Sequence, residues 1–146
     1  MGSDHATEGA ARSGPELVVA SNRLPVRLGV GGGGIQVTPT AGGLVSALGA
    51  TGKEMLWIGW PGAVVPDHLR DDATRLLDER AMHPVFLDAI EEEAFYGRVC
   101  NDTLWPLFHY FGDRLRTTPE AWRTYVAINE RFADAIAARC GPDTQV

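Results

Sequence analysis

Apolar positions along the chain fall into short runs that alternate with longer, spaced stripes. Leu17-Val-Val-Ala20 is an apolar, partly β-branched run closed by Ser21-Asn22-Arg23 and Pro25, and it reads as a buried strand. Gly29 to Gly34 holds five glycines, which predicts a flexible loop or a hairpin tip, with a short strand at Ile35-Gln-Val37 closed by Pro39. Gly42-Gly43 then opens a helix through Leu44-Val-Ser-Ala-Leu48. Met55-Leu-Trp-Ile58 reads as a second buried strand, ended by Gly59-Trp60-Pro61-Gly62. Asp67 to Arg80 has helical spacing, with Leu69, Ala73, Leu76 and Leu77 on one face, and Val85-Phe-Leu87 is expected as a third strand.

The second half of the chain reads as helices. Asp88-Ala-Ile-Glu91 fits a capping box, and the acids at 91, 92 and 93 suit the positive end of a helix dipole. Down that helix Tyr96, Val99, Cys100, Thr103, Leu104 and Leu107 recur at helical spacing until Pro106 ends or kinks it. The last helix carries the strongest boundary signals: Thr118 as cap, Pro119 at the first position, and Gly141-Pro142 as the stop. Trp122, Tyr125, Val126, Asn129, Phe132, Ala133, Ile136, Ala137 and Cys140 form its expected stripe. Strands alternating with helices predict an α/β fold, a Rossmann-like parallel sheet with helices on both faces.

Composition narrows the classes. A chain of 146 residues, 45% apolar and 22% charged, is ordinary for one globular domain and excludes wholesale disorder or a collagen-like chain. The net charge of −6 argues against a nucleic-acid or anionic-membrane partner. Cys100 and Cys140 are too few for a disulfide framework and fit a reducing, cytoplasmic setting. No apolar run reaches the roughly 18 residues of a membrane span. Met1 to Pro15 lacks the charge and apolar core of a signal peptide and reads as a disordered tail, leaving residues 16–146 as the folded unit.

Several residues could carry chemistry. Gly29-Val30-Gly31-Gly32-Gly33-Gly34 matches G-x-G-x-x-G, but it runs into a strand and a proline instead of a helix, so the match reads as accidental. Gly42-Gly43 does open a helix, and is either a phosphate-approaching backbone or a tight turn. Arg23, directly after the first strand, lies where α/β sheets bind ligands; it is either a ligand for phosphate or carboxylate or a surface arginine. Trp60, at the end of the second, either stacks on a sugar or packs into the core. His83 and His109 lack partners at metal spacing, and neither a serine nucleophile elbow nor a Walker loop occurs.

Taken together, Ala20-Ser-Asn-Arg-Leu-Pro25, Ala41-Gly-Gly-Leu44, Trp57-Ile-Gly-Trp-Pro61, Phe95-Tyr96, Asn101-Asp-Thr-Leu-Trp-Pro-Leu-Phe-His-Tyr110 and Trp122-x-x-Tyr125-x-x-x-Asn129-x-x-Phe132-Ala133 occur in one order. In this the chain, from Leu17 to Val146, resembles the start of the trehalose-6-phosphate synthases, retaining glycosyltransferases of the two-domain, Rossmann-like (GT-B) class. The resemblance implies glucosyl transfer from UDP-glucose to glucose-6-phosphate, with no cofactor and no required metal. It makes Arg23 and Tyr96 ligands of glucose-6-phosphate, Trp60 and Trp105 walls for the acceptor sugar, and Gly42-Gly43 the loop against the donor's diphosphate. It also implies that residues 16–146 are part of the acceptor-side domain, with no catalytic residue in this segment. The donor domain, and the sugar-contacting Asp on a strand expected to begin at Val146, would lie outside the chain, which alone would not be competent.

One departure from the family pattern is Gly97-Arg98-Val99-Cys100, where the family usually reads x-Gly-Phe-Ser/Cys. Arg98 either adds a cation at the acceptor rim or faces water. Two other readings stay open beside the synthase: a sister glycosyltransferase with another acceptor, such as glycerol-3-phosphate, and a non-catalytic sugar-phosphate-binding or regulatory module. The expected partners are small molecules, with a homo-oligomer of the full-length enzyme left open.

Overall fold

A computed structural model describes residues 14–114 and 116–146. The reading of Met1–Pro15 as a disordered tail lies outside the described residues except for Gly14 and Pro15. Among the described residues there are five strands and five α-helices: β1 (Leu17–Arg23), β2 (Val26–Gly31), β3 (Gly34–Pro39), α1 (Gly43–Gly49), β4 (Met55–Trp60), α2 (Arg70–Asp78), β5 (Met82–Pro84), α3 (Ala89–Glu92), α4 (Trp105–Phe108) and α5 (Pro119–Ala137). Strand β1 pairs in parallel with β4, and β4 in parallel with β5. On the outer side of β1, Leu17 bridges in parallel to Gln145, so a fourth strand position opens there.

Helices and a hairpin cover the two faces of this sheet, as the alternation of elements predicts. On one face Val18, Ile58 and Trp60 pack with Phe95 and with Ile128 and Phe132 of α5. On the other, Trp57 packs with Leu24, Val26 and Leu28, and with Ala73 and Leu77 of α2. Leu28, Ile58, Leu77 and Ile128 are fully buried, each worth about 1.5–3 kcal/mol against exposure. The glycine-rich segment is a hairpin tip: β2 and β3 pair antiparallel from Val26↔Pro39 to Gly31↔Gly34, with Gly32-Gly33 as the loop. Gly34, at φ 100°, takes a backbone conformation that only glycine adopts freely.

The structure corrects four expectations. The third strand is Met82–Pro84, not Val85–Leu87. Ala81, at φ 53°, brings the chain onto β4 early, and the Val85 N–H donates one last hydrogen bond to Gly59 before the chain leaves the sheet. Val85 and Leu87 are apolar because they enter the core, not because they pair. The helix expected from Asp67 begins as a 3-10 turn over Asp67–Leu69 and is α-helical only from Arg70.

The Tyr96 stripe lies on a π-helix, Glu93–Leu104, set between α3 and α4. Its wider i→i+5 turn shifts the buried face to Phe95 and Val99, and leaves Leu107 half exposed. Pro106 falls in the first turn of α4, just past the π-helix, where its missing N–H costs little. On α5 the buried residues are Ala121, Ile128 and Phe132, whereas Trp122, Val126, Asn129, Ala133 and Ala137 of the expected stripe face outward. That helix is apolar on two sides, and only one of them meets the sheet. Its cap is as expected: Thr118 Oγ1 accepts from the Ala121 N–H.

Candidate functional site at the carboxyl edge of the sheet

Three residues named from the sequence come together where β1 and β4 end. Arg23 is the last residue of β1 and stands opposite Trp60, the last of β4. The Arg23 guanidinium carbon lies 5.4 Å from the Trp60 ring centroid and 5.8 Å from that of Tyr96. The two rings are 6.0 Å apart, tilted at 42°. Trp60 is 3% exposed, so its ring is core on one side and a seat for the cation on the other. Its Nε1 is buried without a hydrogen-bond partner among the described residues. No acid among the described residues makes an ion pair with Arg23, which stands at an exposed position.

Local backbone explains the aim of Arg23. The β1–β4 register shifts between Ala20 and Arg23, so three steps on β1 oppose two on β4, from Ile58 to Trp60. Such a bulge re-aims a side chain at a strand end. The Ser21 hydroxyl closes it by donating to the Arg23 carbonyl at 2.7 Å, and the Leu24 N–H donates to the Trp60 carbonyl at 2.8 Å. The bulge fits because residue 59 is glycine. A Cβ there would lie 2.7 Å from the Ser21 carbonyl oxygen and 3.0 Å from the Leu24 nitrogen. Gly62, at φ 75°, is the second such position, since a Cβ on it would stand 3.3 Å from Arg23 Nη2.

Tyr96 is delivered by the π-helix, and Cys100 lies one turn further along it. Asn22 Nδ2 donates to Cys100 Sγ at 3.4 Å, tying the end of β1 to that helix. Burial pushes the Cys100 thiol above its ordinary pKa, with the Asn22 bond opposing. The sequence reading did not single out Asn22, the bulge or the role of Gly59. A glycine between Ile58 and Trp60 in an otherwise apolar strand is the signal that could have marked the close approach.

The other named residues stand apart from this trio. Trp105, 52% exposed on α4, stacks on His109 at 4.1 Å and on Phe111 at 6.2 Å. Gly42 caps α1 in an extended conformation (φ −167°) and Gly43 is its first residue; both are exposed, and a Cβ on Gly43 would meet nothing within 4 Å. They reach the same end of the sheet through the hairpin, since the Thr40 N–H donates to the Pro25 carbonyl. Arg98 is exposed and its Nε lies 3.6 Å from Glu93 Oε1. Among the described residues no cluster of three or more His, Cys, Asp or Glu side chains could hold a metal ion, and no helix is long and apolar enough to cross a membrane.

Residues 15–146 match the family model described as glycosyltransferase family 20. The chain belongs to that family. It is 42% identical over 132 residues to alpha,alpha-trehalose-phosphate synthase [UDP-forming] 1 of Arabidopsis thaliana, covering 82% of this chain and 14% of that protein. It is 39% identical over 132 residues to alpha,alpha-trehalose-phosphate synthase [UDP-forming] of Schizosaccharomyces pombe, covering 88% of this chain and 26% of that one. Among solved structures, trehalose-6-phosphate from E. coli bound with UDP-2-fluoro glucose superposes with a TM-score of 0.56 at 27% identity, covering 84% of this chain and 24% of that one. An alpha,alpha-trehalose 6-phosphate synthase from Burkholderia multivorans gives 0.55 at 26%, with 85% and 25% covered. This family 20 chain thus spans 14% to 26% of the length of these relatives, an N-terminal part of a GT-B architecture.

Proposed function

We propose that this chain supplies the acceptor side of a UDP-forming alpha,alpha-trehalose-phosphate synthase, which transfers glucose from UDP-glucose to glucose-6-phosphate. The observation that carries the reading is Arg23, a cation seated on two aromatic rings at the carboxyl edge of a parallel sheet and left without a carboxylate among the described residues. A guanidinium offers a planar fork of donors that matches a phosphate in two parallel hydrogen bonds, and the rings flank it without cancelling its charge. The Tyr96 hydroxyl supplies a second, neutral donor.

In this reading Trp60 acts from beneath by seating the guanidinium, because an indole 3% exposed has no free face for a sugar. Trp105, half exposed, is the residue with a ring to offer the acceptor. Gly42 and Gly43 leave the start of α1 open to the donor's diphosphate. Groups that stabilise the leaving UDP would come from outside this chain, and that electrostatic contribution is usually the largest in such reactions. The two free cysteines suit a cytoplasmic enzyme.

The test is calorimetric titration of the 146-residue chain with glucose-6-phosphate, glycerol-3-phosphate and glucose. The expected order is glucose-6-phosphate first, with glucose undetectable and binding lost in Arg23→Ala. Tighter binding of glycerol-3-phosphate would replace the acceptor, and equal binding of glucose would remove Arg23 from the site.

A further inference from the structure

A cation that recognises phosphate by a planar fork has to be held in orientation, and ring faces alone do not fix it: a guanidinium slides over an aromatic surface with little change in energy. Something else must set the distance between the end of β1, which carries Arg23, and the π-helix, which carries Tyr96. Among the described residues, one side-chain hydrogen bond joins those two elements, from Asn22 to Cys100. Asn22 precedes Arg23 inside the bulge, and Cys100 is four residues beyond Tyr96, one turn away on the same side of its helix. The Asn22–Cys100 bond and the Arg23–Tyr96 contact are therefore two rungs between the same two elements.

The chemistry of Asn22 is informative in another way. Its Oδ1 is buried without a partner among the described residues, a desolvation cost that an apolar residue of similar shape would avoid. A residue kept for stability alone would not leave half its hydrogen-bonding capacity unused. If the amide is turned over, the pair stays bonded, with the thiol S–H donating to Oδ1, so the link does not depend on which way the amide points.

We propose that Asn22 and Cys100 are positioning residues of the anion site, their hydrogen bond locking the end of β1 to the π-helix so that Arg23 is held between Trp60 and Tyr96. The role asked of residue 100 is a hydrogen-bonding atom at that depth, which a serine hydroxyl meets and an alanine methyl does not. The ligand-binding half of this proposal rests on the acceptor reading given above; the lock itself does not.

The experiment uses the 146-residue chain with Asn22→Ala, Cys100→Ala, the double variant, Cys100→Ser and Arg23→Ala. Without ligand, the Trp60 indole N–H resonance is expected to move in Asn22→Ala and in Cys100→Ala and to return in Cys100→Ser, because the cation above that ring shifts when the lock is cut. With glucose-6-phosphate, each single alanine should weaken binding about fivefold, the value of one hydrogen bond, and the double variant no further than the weaker single. Cys100→Ser should stay within about twofold of the parent, since the hydroxyl restores the bond. Cys100→Ala cuts the bond with the smaller change, so the lock remains testable if Asn22→Ala fails to fold. An unmoved Trp60 resonance in the alanine variants, or losses that add in the double variant, would overturn the lock. If Arg23→Ala leaves glucose-6-phosphate affinity unchanged, the acceptor reading fails, and the ligand-free resonances still decide the lock by themselves.

Discussion

Charges at the amino edge of the parallel sheet and Arg23 at its carboxyl edge are held in opposite ways. At the amino edge, where β1 and β4 begin and where α2 and α5 end, charges meet partners: Lys53 with Glu16 at 3.0 Å, and Asp78 with Arg139 at 3.6 Å beside a hydrogen bond to the His83 imidazole at 3.3 Å. At the carboxyl edge, Arg23 meets aromatic faces only. Exposed ion pairs contribute about 0–1 kcal/mol each, so the amino edge gains little beyond neutrality. What it gives up is availability, because a cation already paired has less to offer an incoming phosphate. Ring faces restrain Arg23 while leaving its charge intact. The contrast separates a site from a surface more sharply than the residue type does, since arginine stands at both edges.

The largest effect that would sharpen this contrast is on ligand affinity. Arg23→Ala should weaken glucose-6-phosphate binding about 10- to 100-fold, as expected for a charge-assisted hydrogen-bond pair. Arg23→Lys should recover only part of it, since an ammonium keeps the charge and loses the fork. Arg139→Ala, at the opposite edge, should leave the affinity unchanged. Calorimetry on the three variants checks this, and a loss in Arg139→Ala matching that in Arg23→Ala would break the comparison.

Next in size is the backbone beneath Arg23. Gly59→Ala places a methyl 2.7 Å from the Ser21 carbonyl oxygen, a clash with backbone that cannot swing away. Overpacking of this kind costs about 1–3 kcal/mol, readable as a lower midpoint in thermal or urea unfolding. Gly43→Ala is the counterpart at the start of α1, with open space around the new methyl. It should raise stability by up to about 0.5 kcal/mol through reduced chain entropy. Gly59 is required by geometry, whereas Gly43 is tolerated by it. A destabilised Gly43→Ala would show that the open end of α1 is as tightly determined as the bulge.

Much of this was legible in the sequence, and what was not has physical causes. The strands β1 and β4 and the caps of α3 and α5 follow from short-range signals: apolar runs, a capping box and Thr118-Pro119; the glycines mark a loop or hairpin tip, but nothing local marks Val26–Gly31 as its first strand. Arg23 and Trp60 were identifiable as neighbours because parallel pairing puts the ends of consecutive sheet strands side by side. Strand β5 was misplaced because Val85 and Leu87 are buried by leaving the sheet, and burial alone does not distinguish pairing from packing. The π-helix was invisible because a stripe drawn at α-helical period drifts off a segment bonded i→i+5, which is why Phe95 was passed over and Leu107 included. On α5 the sequence carries two apolar sides and nothing local says which one meets β1 and β4. The Asn22–Cys100 bond spans 78 positions, and its strength lies in the fold rather than in spacing.

The smallest effect belongs to the amino edge and answers to protons instead of ligand. Burial holds the His83 pKa below the usual 6.5, with the Arg139 charge adding to it and Asp78 opposing. The unfolded chain takes up this proton near pH 6.5, before the folded chain does. Stability from this group is therefore intact above about pH 6.5 and is lost as pH falls toward and through the lowered folded value, after which the loss levels off. Urea unfolding at pH 7.5 and 5.5 should show a fall for the parent chain that is smaller in His83→Gln. Arg139→Ala should also shrink the fall, because removing that cation lets the folded pKa rise back toward its ordinary value. Arg23→Ala should leave it unchanged, since Arg23 takes no part in this cluster. Equal falls in the parent and in His83→Gln would mean that the paired edge carries no proton-linked stability, and the contrast between the edges would then rest on ligand affinity alone.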